Sequence, residues 1–134
     1  MNVIGIDPGK RTGLAIVRDG YLRSLYTIDF WSTYDMLASF SATDIKVVIE
    51  VPHNKKNWHG VGAAVAVGGV IREAQLLADG VERLGFSVTR VHPTGRGKKM
   101  KHAEFCKLTG WKGRTNEHAR DAALLALGEG NVYE

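Results

Sequence analysis

Residues 1–17, Met-Asn-Val-Ile-Gly-Ile-Asp-Pro-Gly-Lys-Arg-Thr-Gly-Leu-Ala-Ile-Val, constrain the fold more than any other stretch of this chain. Val3, Ile4 and Ile6 form an apolar run too short for a helix, and Asp7-Pro8-Gly9 closes it with turn chemistry. Residues 12–17 give a second β-favouring run, so the two pair most simply as an antiparallel hairpin. Asp7 then stands at the mouth of a sheet. Taken alone, Asp-Pro-Gly is only a turn former. The carboxylate gains chemical meaning from what later segments place beside it.

Residues 21–28 alternate apolar and polar around Leu22, Leu25 and Tyr26, behind the Asp19-Gly20 turn signal, and read as a third strand. Phe30, Tyr34, Leu37 and Phe40 then fall at helical spacing, which predicts a short helix over 30–40. Residues 45–51 are β-branched apart from Lys46 and Glu50, as expected of a strand covered on both faces. A right-handed crossover returns this fourth strand parallel to the first. With neighbouring strands ~4.8 Å apart, Asp7 and Glu50 can face each other from two C-terminal strand ends. Two carboxylates so placed repel, and a divalent cation between them removes the cost most simply.

The polar loop after Glu50, residues 52–60, mixes basic and ring side chains. Lys55 and Lys56 suit phosphates, and His53 or Trp58 can stack on an unpaired base, although Trp58 serves equally as a lid on the next helix. From residue 61 the chain reads as a long helix in which Ala63, Val67, Val70, Ala74, Leu77, Val81 and Leu84 recur by threes and fours. Gly80 costs ~1 kcal/mol against Ala without breaking it. Residues 61–71 are apolar or small nearly all round. Either a second subunit covers the side away from the sheet, or a deep core of the same chain does. Residues 86–91 make a fifth strand, 94–101 a Gly- and Lys-rich loop, and 101–108 a short helix. A last helix over 115–127, capped by Thr115 or Asn116, puts His118 and Asp121 on one face.

With 134 residues, 44% of them hydrophobic, the chain has material for one core, so residues 1–134 are expected to form a single domain. The net charge of +4 permits a polyanionic partner without demanding one. Its distribution is more telling. Arg90, Arg96, Lys98, Lys99, Lys101, Lys107, Lys112, Arg114 and Arg120 crowd the last third, opposed before Asp121 only by Glu104 and Glu117. Cys106 is the only cysteine, so no internal disulfide and no Cys-based zinc site is expected. No leader pattern opens the sequence, and no apolar stretch approaches the ~20 residues of a membrane span. A cytoplasmic protein without a membrane role is the expectation.

Read in order, Ile4-Gly-Ile-Asp-Pro-Gly9 with Thr12-Gly-Leu-Ala, then Val47-Val-Ile-Glu50, then Asn116-Glu-His-Ala-Arg-Asp121-Ala-Ala, resemble the RuvC family of Holliday junction resolvases. These are RNase H-like nucleases. The likeness spans nearly the whole chain, and its last motif is most similar to resolvases carried by bacteriophages. It implies an α/β fold: a five-stranded mixed sheet of order 3-2-1-4-5, flanked by helices. It implies a metal site of Asp7, Glu50, His118 and Asp121 holding two Mg²⁺ or Mn²⁺ ions, with Asp7 bridging, Glu50 near the attacking water, and the last helix completing the site. Imidazole is not the usual Mg²⁺ ligand, so His118 either favours Mn²⁺ or positions the water.

The resemblance further implies branched DNA as substrate, a homodimer that makes paired nicks, and the cytoplasm of a bacterium or phage-infected host. Arg96, Lys98 and Lys99 match the family's DNA-contacting loop in position and kind. His53, Lys55, Lys56, Trp58, Lys101 and Arg114 complete the expected DNA-binding set. Where the family carries a junction-wedging aromatic residue, this sequence has His53, with Trp58 further along. Other readings keep the fold and change the activity: a broader flap and fork nuclease, or a DNA-binding module without catalysis. Actin-like and sugar-kinase folds also end a first strand in Gly-x-Asp-x-Gly, but they need a second domain.

Overall fold

The computed structural model describes residues 2–52, 60–93 and 99–128, with the side chains of residues 63, 64 and 67 left aside. The elements run β1 (Asn2–Asp7), β2 (Thr12–Arg18), β3 (Tyr21–Ile28), α1 (Phe30–Ala38), β4 (Ile45–Glu50), α2 (Gly60–Arg83), β5 (Ser87–Val91), α3 (His102–Thr109) and α4 (Glu117–Leu127). The strands form one sheet in the order β3-β2-β1-β4-β5. The hairpin pairs β1·β2 and β2·β3 are antiparallel, and the crossover pairs β1·β4 and β4·β5 are parallel. This is the RNase H-like mixed sheet that the sequence led us to expect. Asp19 and Gly20, at φ 53° and 84°, supply the two positive-φ positions of the tight β2–β3 turn.

Side-chain alternation assigns the faces. Ile4, Ile6, Leu14, Val47 and Ile49 point to one side, where they pack with Leu37 of α1 and with Ala74, Leu77, Ala78 and Val81 of α2. The helix predicted over 30–40 stops at Ala38, because Ser39 turns its N–H back onto the last carbonyls; Phe40 still reaches the core from the turn. Asp29 caps the start, accepting the Ser32 N–H at 2.7 Å. Gly80 is a seat rather than a flaw in α2: a Cβ there would lie 3.1 Å from Cε1 of Tyr34.

The other face takes α4. Ala122 and Ala123 pack with Ala15 and Phe105, and Leu125 packs with Val48 and Val91. α4 lies so close that a Cβ on Gly5 would strike the Ala122 carbonyl oxygen, and one on Gly13 the His118 carbonyl. Bare backbone at these two strand positions lets the helix rest on the sheet. Asn116 fixes the helix start twice: its Oδ1 accepts the Ala119 N–H at 2.9 Å, and its Nδ2 donates to Thr27 Oγ1 of β3 at 2.7 Å.

The first half of α2 corrects one of the two expectations for residues 61–71. Val61 is 80% and Val65 69% exposed, so among the described residues no core of this chain covers them. Among the described residues no helix is long and apolar enough to cross a membrane.

Candidate active site

Parity along the strands builds the site. Ile4 and Ile6 face α1 and α2, so Gly5 and Asp7 face α4; likewise Val47 and Ile49 leave Val48 and Glu50 on the α4 side. The parallel register pairs Ile6 with Ile49, which puts Asp7 and Glu50 one step further on, side by side at two strand ends. α4 then contributes His118 and, one turn later, Asp121. Nδ1 of His118 lies 3.0 Å from Oδ2 of Asp7, and the ring covers Gly9 of the β1–β2 turn. All four residues expected at the site occupy one end of the sheet.

Electrostatics is what sets the site apart. Asp7 is 5% exposed, and burial, together with the charges of Glu50 and Asp121, pushes its pKa up to about 9. Glu50 is also pushed up, by burial first; Lys99 and the hydrogen bond shared with Asp7 act the other way. Burial and mutual repulsion thus favour a proton on this pair of carboxylates. Lys99 is a nearby positive charge: its Nζ donates to Asp121 Oδ2 at 2.7 Å. Partial burial opposes the ammonium form of Lys99, but Asp121, Glu50 and Asp7 outweigh it and raise its pKa.

The donor set suits a hard divalent cation in kind, being carboxylate oxygens with one imidazole nitrogen. Its present arrangement is not a closed ligand shell. Among the described residues no three His, Cys, Asp or Glu side chains are placed to hold an ion, and Asp121 is engaged by Lys99 instead.

The expected DNA contacts divide. His53, Lys55, Lys56, Trp58, Arg96 and Lys98 lie outside the described residues. Lys99 belongs to the acidic cluster. Lys101 is exposed at the start of α3, and Arg114 lines an open cavity of about 500 Å³ together with His102, Lys112, Gly113 and Thr115. Thr115 is held by His102 Nδ1 at 2.7 Å and by Arg120 Nη1 at 2.7 Å, so this basic loop is anchored to α3 and α4. Sequence reasoning missed Arg11, whose Nη2 donates to the Thr27 carbonyl at 2.7 Å and bridges the hairpin turn to β3. A basic residue two past Asp-Pro-Gly was the available signal.

No protein-family model matches the sequence, and no curated protein matches it. Among solved structures, Thermus thermophilus RuvC in complex with a Holliday junction substrate is similar at a TM-score of 0.61 and 19% identity, over 95% of this chain and 91% of that one. A further Thermus thermophilus RuvC structure is similar at 0.59 and 17% identity, over 95% and 92%. The chain therefore has the fold of RuvC Holliday junction resolvase structures, with Asp7, Glu50, His118 and Asp121 gathered at one end of its sheet.

Proposed function

We propose that this chain is a divalent-metal-dependent endonuclease that resolves four-way DNA junctions by phosphodiester hydrolysis. The observation that carries the reading is the buried Asp7, pushed to about 9 by its surroundings and by Glu50 and Asp121, with His118 against it. Such a cluster is costly for the fold and gains its purpose from a cation. Asp7, Glu50, His118 and Asp121 would hold Mg²⁺ or Mn²⁺. When bound, a pair of such ions supplies a water nucleophile at neutral pH and charge stabilisation for the leaving 3′ oxygen.

The chain's own residues do the rest. His118 fixes the orientation of the Asp7 carboxylate through Nδ1, and its ring is 47% exposed, open to a substrate. Arg11, Lys101, Lys112 and Arg114 are exposed cations, suited to backbone phosphates. That one RuvC structure with this fold is in complex with a Holliday junction substrate supports branched DNA as the partner.

Paired cuts across a symmetric junction call for two sites related by a twofold axis. The apolar first half of α2 is the face for that pairing. Val65→Glu places a charge there and is expected to turn a dimer into a monomer without loss of helix content, as read by light scattering and circular dichroism. A Val65→Glu protein that stays dimeric removes α2 from the interface.

One observation favours a DNA-binding module without catalysis: Asp121 is tied to Lys99. Synthetic four-way, three-way and flap substrates, incubated with Mg²⁺, Mn²⁺ or EDTA, separate the readings. Metal-dependent cutting that favours the four-way junction is expected. Equal rates on all three substrates indicate a broader flap and fork nuclease, and tight binding with no cutting in either metal overturns the enzyme.

A further inference from the structure

The ion pair between Lys99 and Asp121 has a consequence beyond the acidic cluster itself. Lys99 Nζ lies 2.7 Å from Asp121 Oδ2, and the lysine side chain is 56% exposed while the carboxylate is 13% exposed. A half-exposed lysine is free to leave; a mostly buried carboxylate is not. Lys99 also precedes α3 and follows the Gly- and Lys-rich stretch of the sequence.

The ammonium and a divalent cation at Asp121 exclude each other for two reasons. The ammonium already occupies Asp121 Oδ2, and two positive charges at one carboxylate repel. A DNA phosphate is the one substrate group that attracts the lysine without attracting Asp121.

We propose that Lys99 is a tethered counter-cation that holds Asp121 out of the metal shell until a DNA phosphate draws the ammonium away. Metal loading on the α4 side of the site is thereby tied to the presence of DNA. This rests on the metal-site reading of Asp7, Glu50, His118 and Asp121 given above. Lys99 acts here through Asp121, as a positioning residue.

Mn²⁺ binding, followed by calorimetry and by the rise in melting temperature, tests the idea without any measurement of cleavage. Lys99→Met is expected to bind Mn²⁺ about tenfold more tightly than the parent in the absence of DNA, while Lys99→Arg, which keeps the charge, stays within about twofold of it. Adding an uncleavable four-way junction built from phosphorothioate strands is expected to tighten Mn²⁺ binding in the parent more than in Lys99→Met. An Asp7→Asn control reports whether the ion is in the proposed site. Mn²⁺ binding that depends on Asp7 but is equal in the parent and Lys99→Met overturns the role of Lys99 and leaves the metal site standing. Equal tightening by the junction in both proteins overturns the coupling to DNA. Binding that ignores Asp7→Asn in every protein overturns the metal site, and this inference with it. A merely structural ion pair predicts the opposite sign: losing Lys99 then weakens binding along with the fold.

Discussion

Replacing Asp7 by Asn is expected to yield a protein that melts higher than the parent in metal-free buffer at pH 8 and no longer cuts DNA. The sign follows from linkage. In the folded chain the Asp7 pKa is about 9, against 3.8 for the free side chain, so the folded state holds a proton that the unfolded state releases. Below pH 3.8 both states are protonated and the group costs nothing; as pH climbs from there to about 9, stability drains away. Raised titration of Glu50 acts in the same direction.

An Asn at this position is neutral throughout. Its amide N–H can donate to Glu50 as a protonated Asp7 would, so the variant escapes the loss. At pH 8 the gain is on the order of 2 kcal/mol, or roughly 5–10 °C in melting temperature. Near pH 4 the two proteins are expected to melt together. Cleavage is expected to fall by at least ~10³-fold, since a group that acts as part of a unit cannot be lost in part. Saturating Mn²⁺ supplies the missing counter-charge and is expected to raise the melting temperature of the parent but not of Asp7→Asn. Thermal denaturation at pH 4 and pH 8, with EDTA or Mn²⁺, beside a junction-cleavage assay, measures these differences. An Asp7→Asn protein that melts below the parent at pH 8 without metal overturns the electrostatic account of the site.

The strands that carry Asp7 and Glu50 were legible because a sheet repeats every two residues. Once Ile4, Ile6, Val47 and Ile49 are read as core, the two carboxylates fall on the opposite face by parity alone. Their adjacency then needed only the crossover rule. His118 and Asp121 were legible as a pair three apart on a helix, but nothing local says which face of the sheet that helix meets. Lys99 shows where reading from the sequence stops. It lies 22 positions from Asp121, behind a Gly- and Lys-rich stretch that suits DNA, and no pattern of neighbours reveals a tertiary ion pair.

Residues 61–71 fail to be decided for a related reason. An all-round apolar pattern reports that something covers a helix and does not report which chain supplies it. The exposure of Val61 and Val65 leaves them without cover from the described residues of this chain.

Glycines hid the largest structural constraint. Gly13 reads as punctuation after a turn, and Gly5 as a small residue in a strand; both are contact points for a helix more than a hundred residues away in the chain. Gly13→Ala is therefore expected to cost ~2–4 kcal/mol of folding stability, since the new methyl meets the His118 carbonyl and lies 2.9 Å from the Ala119 nitrogen, both of them backbone atoms. Backbone yields less readily than a side-chain tip. The first turn of α4 has to lift, and it carries His118 off Asp7.

A shift of ~1 Å at a reacting site costs about 10²-fold in rate, so activity is expected to fall further than the folded fraction does. Leu37→Ala gives the comparison. It empties a fully buried place on the opposite face, under α1, at a similar cost of ~2–5 kcal/mol, and leaves α4 where it is. Denaturant unfolding of both variants, beside junction cleavage and Mn²⁺ binding at a temperature where each is folded, separates loss of fold from loss of placement. Gly13→Ala should lose cleavage and Mn²⁺ affinity together, and Leu37→Ala should keep both. Equal activity per folded molecule in the two variants means that the close seat of α4 on Gly13 does not set the geometry of the acids.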